Sequence, residues 1–207
     1  MTDPVRRCPD HGYTDGPCDC GAGETVLSAD RRTRLSKFLS GALRHFPADA
    51  GLELDAQGWT EWEALVAAAT DRYPWADAEA IEGVVATDPK GRFERSGGRV
   101  RAAYGHSVDV DLEPTDAPVP DRLYHGTSPD ADDSIREEGI RPMGRQQVHL
   151  SATVAEARTV GERHAADPVV FAVDAAALRE TYRITKRGRE TYTVDRVPPS
   201  YLTVVED

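Results

Sequence analysis

Lysine is almost missing from this sequence: it occurs only at Lys37, Lys90 and Lys186, in a chain of 207 residues whose Lys and Arg together number 25. Nearly all positive charge is therefore carried by arginine, a planar fork of donors that stays ionised at every relevant pH. Positive charge as a whole is also short. Thirty-six acidic residues leave a formal net charge of -11, which argues against a broadly basic nucleic-acid surface but leaves room for a local basic pocket. No apolar run reaches membrane-spanning length, and the opening "MTDPVRRCPD" lacks the hydrophobic stretch of a secretory signal. A soluble cytoplasmic protein with no membrane partner is expected, and its acidic, lysine-poor surface suits a high-salt cytoplasm. Neither GxGxxG after a strand nor GxxxxGK[ST] occurs, so a Rossmann or P-loop nucleotide site is not expected. Internal repeats and low-complexity tracts are absent too.

Cysteine is scarce and confined to one stretch. All three cysteines lie in "CPDHGYTDGPCDC", giving the spacing Cys8-x2-His11-x6-Cys18-x-Cys20. An odd number of thiols in a cytoplasmic chain makes disulfides a poor explanation. Four soft ligands with Gly and Pro between them fit a structural zinc knuckle, in which the metal supplies folding energy that so short a segment cannot gain by burial. The Cys-x-Cys step is tighter than the usual ligand spacing, and a disordered tail with incidental thiols is the alternative. With all four positions filled, the knuckle leaves no open site for substrate.

The rest of the chain reads as two α+β regions. From Asp30 to His45 the residues Leu35, Phe38, Leu39, Ala42 and Leu43 fall at helical spacing, and Pro47 stops further winding. "GLELD" reads as a short strand. In "TEWEALVAAA", Thr60 and Glu63 stand in capping-box spacing ahead of a second helix, and "WADAEAIEGVVAT" gives a third. "RFERSGGRVRAAY" is two alternating runs joined across Ser-Gly-Gly, the pattern of a hairpin. Helices followed by a hairpin predict a winged-helix lobe over residues 30–108, with residues 1–29 as the zinc-knuckle extension. Alternation is expected to put Arg92, Arg95, Arg99 and Arg101 largely on one face. "DVDLEPTDAPVPD" has three prolines, many acids and no period, which marks a linker over residues 109–121. In residues 122–207, strands at "RLYHGTS", "QVHLS", "PVVFAVD", "YRITKR", "ETYTVD" and "YLTVVE" alternate with helices at "DADDSIREEGI", closed by Gly139, and "VAEARTVGERHA". His125 and His149 then lie on strands.

Singly, these residues have plain explanations. Arg44 and His45 can be positive charge meeting the C-terminal end of a helix dipole. Arg92 and Arg101 can be solvated hairpin charges. His125 and His149 can be satisfied core histidines.

In combination the segments resemble one family. "LSKFLSGALRHFP", "LELDAQGWTEWEAL", "VVATDPKGRFE", "RVRAAYGHS", "LYHGTS" and "EGIRPMGRQQVHLS" stand in the order and approximate spacing of the RNA 2'-phosphotransferases, the KptA family. The likeness covers roughly residues 33–205. It implies a winged-helix lobe joined to an ADP-ribosyltransferase-like, NAD-binding lobe. The implied reaction moves an internal RNA 2'-phosphate to NAD, giving RNA with a 2'-hydroxyl, nicotinamide and ADP-ribose 1'',2''-cyclic phosphate, without a catalytic metal. The family's tetrad maps to Arg44, His45, Arg92 and Arg145. Arg101 matches an arginine expected to hold the RNA phosphate. His125, Gly126, Thr127, His149 and Ser151 match strands that cradle NAD, Gly126 by letting the backbone approach the dinucleotide. Gln146 and Gln147 stand where relatives often carry histidine or another residue, and "RAAYGHS" lacks a polar residue that many relatives have before Gly-His-Ser. A tRNA substrate and a monomer are expected. Two other classes fit parts of the pattern: an ADP-ribosyltransferase that stops on nucleic-acid phosphates, and a non-catalytic winged-helix and zinc-knuckle regulator of nucleic acid.

Overall fold

The structure, a computed structural model, describes residues 3–205. It is a mixed α/β protein whose chain divides into two units of internal packing, Met1–Leu112 and Glu113–Asp207.

The first unit begins with a three-stranded antiparallel sheet: β1 (Val5–Cys8), β2 (Gly12–Asp15) and β3 (Glu24–Leu27), in the order β2-β1-β3. This is not a loose tail. Val5 and Leu27 belong to the same buried cluster as the helices that follow. The long helix α1 (Ala29–Arg44) buries Leu35, Leu39, Ala42 and Leu43 completely, each leucine side chain contributing about 1.5–3 kcal/mol when fully removed from water. A two-residue strand, β4 (Thr60–Glu61), then precedes α2 (Trp62–Arg72) and α3 (Ala78–Ala86). A hairpin of β5 (Phe93–Ser96) and β6 (Arg99–Ala102) completes a second small sheet, in the order β4-β6-β5. Its turn is Gly97-Gly98 with φ of 56° and 82°, the doubly positive geometry that matches strand twist and that glycine adopts without strain.

Three local expectations fail for physical reasons. "GLELD" forms no strand; instead the Asp55 carboxylate accepts from the amides of Gln57 and Trp59, each at 2.9 Å, and folds the segment into a turn. The capping box does not form, because Thr60 is taken into the ladder opposite Val100 and Glu61 becomes the residue flanking the start of α2. The hairpin arginines do not share one face. Register pairs Glu94 with Arg101, Arg95 with Val100 and Ser96 with Arg99, so Arg95 lies opposite to Arg99 and Arg101, and Arg92 precedes the strand. Nor is this a bare cationic wing, since Arg95, Arg99 and Arg101 pair with Glu82, Asp55 and Glu94.

One buried charge ties the first unit together. Arg32, 4% exposed, donates from α1 to the carbonyl of Asp3 at 2.7 Å and to the carbonyl and hydroxyl of Thr87 at 2.6 and 3.1 Å. It thereby links the start of the small sheet to the end of α3. Across from it, Gly83 lets α3 sit on that sheet: a Cβ there would lie 2.6 Å from Val5 Cγ1.

The second unit is built on one six-stranded antiparallel sheet. In chain order it contains β7 (Arg122–Thr127), α4 (Asp132–Glu138), β8 (Val148–Ser151), α5 (Val154–Gly161), β9 (Val169–Asp174), α6 (Ala175–Leu178), β10 (Thr185–Arg187), β11 (Thr191–Val194) and β12 (Leu202–Val204). The strand order is β10-β11-β8-β7-β9-β12. Leu123, Leu150, Phe171, Val173 and Val194 form its core. The proline-rich segment is tied to each unit separately: Asp111 donates to Ala56 O at 2.7 Å, while Arg187 donates to Glu113 O at 2.6 Å.

Candidate functional site

In the first unit, Arg44 and His45 stand at the end of α1, and Arg92 stands in the loop between α3 and β5. The helix stops at His45, whose amide still donates to Gly41 O at 2.8 Å, and Pro47 blocks another turn. Its exposed imidazole is fixed by Nδ1 at 3.0 Å from Ser107 Oγ, and the Ser107 amide donates to Arg44 O at 3.0 Å. The Arg44 guanidinium carbon lies 4.7 Å from the centre of the Tyr104 ring, a cation-π contact that holds the fork flat. Tyr104 in turn donates its hydroxyl to Lys90 O at 3.4 Å, and the Ala103 amide donates to Arg92 O at 2.8 Å. The loop bearing Arg92 is thus laced to the segment that holds Arg44 and His45.

Arg92 itself is positioned by a buried carboxylate. Asp88, with its side chain 3% exposed, accepts from the Arg92 amide at 2.5 Å, from Nε at 2.8 Å and from Nη2. Nη2 also donates to Ser36 Oγ on α1 at 2.9 Å. These charge-assisted bonds fix the plane of the guanidinium, and Nη1 is left without a partner among the described residues. The face therefore offers oriented donors and one imidazole, which suits a dianionic phosphate. Ser36, Asp88, Tyr104 and Ser107 were not singled out from sequence. Only the four-residue offset between Asp88 and Arg92 hinted at a pair, and that spacing normally speaks for helices.

Arg101 is placed differently. Its side chain donates to Glu94 Oε2 at 2.7 Å and to Gln57 O at 3.3 Å, and lies 4.5 Å from the Trp59 ring.

In the second unit, β7 and β8 are neighbours in the sheet but pair at a single position, Tyr124 with Ser151. Beyond it the strands diverge. His125 Nδ1 bridges the seam to His149 O at 3.0 Å; because a carbonyl only accepts, Nδ1 carries the proton and Nε2 is an acceptor. Burial pushes this imidazole below its ordinary pKa, so it is neutral. Strand alternation puts His125 and Thr127 on the face of Leu123, and Gly126, His149 and Ser151 on the other. The five residues therefore flank one seam from both sides. His149 Nδ1 lies 2.7 Å from Nη1 of the exposed Arg145, which leads into β8.

Gly126 has a packing role within the second unit. A Cβ there would stand 1.8 Å from Ala157 O, and one at Gly161 would stand 2.5 Å from Pro168 Cβ. The missing side chain admits the backbone of α5 against β7, so the close approach is to the protein's own helix.

Cys8, His11, Cys18 and Cys20 come together at the tip of the β1–β2 hairpin and the following loop, with all four ligand atoms within 4.8 Å of one another. Neighbouring atoms are 3.2 to 3.4 Å apart. Those separations approach the edge of a tetrahedron with metal-sulfur bonds of about 2.3 Å and a metal-nitrogen bond of about 2.0 Å.

Guanidinium groups beside an imidazole suit the binding of a phosphate, and comparison with known proteins points to a transferase that handles one. The model of the RNA 2'-phosphotransferase, Tpt1 / KptA family, matches residues 30–195. The chain is 60% identical to a probable RNA 2'-phosphotransferase of Haloarcula marismortui, with 100% of both chains covered. It is 42% identical to probable RNA 2'-phosphotransferase 2 of Archaeoglobus fulgidus over 97% of this chain and 91% of that one. A probable RNA 2'-phosphotransferase of Methanosarcina mazei is 40% identical over 98% and 100%. The chain belongs to the RNA 2'-phosphotransferase family, and is a transferase acting on the 2'-phosphate of RNA. Among the described residues no helix is long and apolar enough to cross a membrane.

Proposed function

We propose that this protein transfers an internal RNA 2'-phosphate to NAD, with a spliced tRNA as the substrate. The observation that carries this reading is the lacing of the loop that bears the Asp88-anchored Arg92 to the segment, residues 103–107, that holds Arg44 and His45. In the first step a 2'-phosphate oxygen attacks C1'' of the nicotinamide-bearing ribose; the bond to nicotinamide breaks and nicotinamide leaves. In the second, the 2''-hydroxyl of the ADP-ribose attacks the phosphorus and gives up its proton, and the RNA 2'-oxygen leaves and takes one up. ADP-ribose 1'',2''-cyclic phosphate and RNA with a 2'-hydroxyl result. Arg44, Arg92 and Arg145 hold the phosphate and stabilise charge on its oxygens. His45, oriented by Ser107, holds the phosphate or moves the proton of the second step. Arg101 supports the RNA phosphate site through the wing.

The NAD assignment draws on the seam between β7 and β8. His125, Gly126, Thr127, His149 and Ser151 flank it, and His125 Nε2 is an acceptor suited to a ribose hydroxyl. Three helices followed by a hairpin support a winged-helix reading of the first unit, and the split sheet supports an ADP-ribosyltransferase-like reading of the second. The experiment is turnover of an RNA bearing one internal 2'-phosphate, with and without NAD, followed by appearance of the cyclic phosphate. Absence of NAD-dependent product across a wide salt range overturns the proposal. His45→Ala should accumulate ADP-ribosylated RNA, its second step slowed by roughly 10²-fold or more; equal loss of both steps would mark a binding defect instead.

Zinc fits the Cys8, His11, Cys18 and Cys20 cluster by ligand type and spacing. The metal would supply folding energy for the β1–β3 sheet and no chemistry. Purified protein should carry about one zinc per chain by elemental analysis, lost in Cys18→Ser, with chelation lowering the melting temperature. Metal-free protein with an unchanged melt rules this out.

A further inference from the structure

On the first unit, lined in part by the residue that follows His45, lies a cavity of about 500 Å³ that contains none of the residues proposed to hold the phosphate. Arg34, Lys37 and Phe38 of α1, Phe46 of the loop after it, and Arg72 and Tyr73 at the end of α2 line it. Its chemistry is unlike the rest of this acidic chain. Three cations surround it, with Asp49 as the acid on its rim. One of them, Lys37, is one of the few lysines the sequence has.

The aromatic rings form a continuous series. Phe46 and Phe38 have ring centres 6.2 Å apart, Phe38 meets Tyr73 edge-on at 5.7 Å, and Tyr73 stacks on Trp75 at 4.9 Å. Cations flank the far end: Arg72 lies 5.2 Å from the Tyr73 ring and Arg31 5.1 Å from Trp75. Phe46 is held in place by Gly41, where a Cβ would stand 2.5 Å from its Cε1. The whole series rests on the core of the first unit, so the rings are rigid.

Position supplies the rest. Phe46 directly follows His45, and consecutive Cα atoms are about 3.8 Å apart, so the cavity opens one residue from the proposed phosphate contact. We propose that this cleft binds the single-stranded RNA flanking the 2'-phosphate, with bases stacked on Phe38, Phe46 and Tyr73 and the backbone held by Arg34, Lys37 and Arg72. Stacking on aromatic rings with cations alongside is how single strands are bound without sequence preference, and stacking survives salt that screens phosphate contacts. The inference rests on the proposed phosphotransferase reaction and names how that site takes its substrate.

The test compares a 2'-phosphorylated dinucleotide, too short to enter the cleft, with RNAs extended by several nucleotides on either side. The variant is the double substitution Lys37→Gln with Arg72→Gln, both exposed, and its melting temperature should match the native protein. KM for an extended RNA should rise about tenfold while KM and kcat for the dinucleotide stay within twofold. The salt slope of binding should flatten by roughly 0.7 per charge removed. Tyr73→Ala, checked for folding by its melt, should do the same with less effect on the salt slope. Unchanged KM on every RNA, or an equal rise on short and extended RNAs, overturns the proposal. If the native protein turns over neither, the reaction proposed above fails instead. Fluorescence anisotropy with an unphosphorylated oligonucleotide then still decides the cleft: weaker binding by the double variant supports it, and equal binding overturns it.

Discussion

Replacing Arg92 by alanine should reduce kcat on a 2'-phosphorylated RNA by about 10³-fold, within the range seen when one preorganised donor to a developing charge is removed. The expectation comes from the way the side chain is held. Asp88 and Ser36 use Nε and Nη2, which leaves Nη1 to donate elsewhere from a guanidinium whose plane is fixed. A donor fixed before the reaction needs no reorganisation as charge builds on phosphoryl oxygens. The substitution has a second effect that must be separated from the first. Asp88 is 3% exposed, and without Arg92 it becomes an unpaired buried carboxylate, which costs about 3–5 kcal/mol of stability. The double variant Asp88→Ala with Arg92→Ala removes both charges and should recover much of that stability while activity stays low. A double variant with kcat within tenfold of the native protein would show that Arg92 serves the fold alone. Arg92→Lys should also be poor, because an ammonium cannot engage Asp88, Ser36 and a phosphate in one plane.

Gly126→Ala should severely destabilise the second unit. The added Cβ would meet Ala157 O at 1.8 Å, and the obstacle is helix backbone that cannot step aside like a flexible side chain. Forcing β7 and α5 apart should cost about 3 kcal/mol or more, a drop of roughly 6–12 °C in melting temperature for a chain of this size. Gly144→Ala is the control: nothing lies within 4 Å of its Cβ position, and its melt should not move. A Gly126→Ala protein as stable as the control would mean that β7 and α5 are not in the contact described. Because His125 and Thr127 flank Gly126 on the same strand, the variant should also lose the NAD binding proposed for that strand.

Much of the architecture was legible in the sequence because its signals are local. Apolar spacing along α1, Pro47 behind it and the Gly97-Gly98 turn depend on neighbours a few residues away, and so did the grouping of Cys8, His11, Cys18 and Cys20. Local signals also misled where a distant partner competed. Thr60 had the spacing of a helix cap, but Val100 took it into a ladder. The arginines of the hairpin looked like one basic face until register sent Arg95 to the other side, and Glu82 and Asp55 from elsewhere in the chain, with Glu94 of the hairpin itself, paired with three of them.

Motifs kept in order were enough to place the chain in its family, and with it to mark which arginines and histidines to watch. What holds those side chains came from the folded contacts alone. That Asp88 and Ser36 fix Arg92, that Tyr104 carries Arg44, that Ser107 orients His45, and that Gly126 makes room for a helix depend on contacts between residues as much as 62 positions apart. Periodicity reports which face of an element is buried. It carries no information about which side chain of another element arrives there, because that is settled by packing and by the need to pair each buried charge.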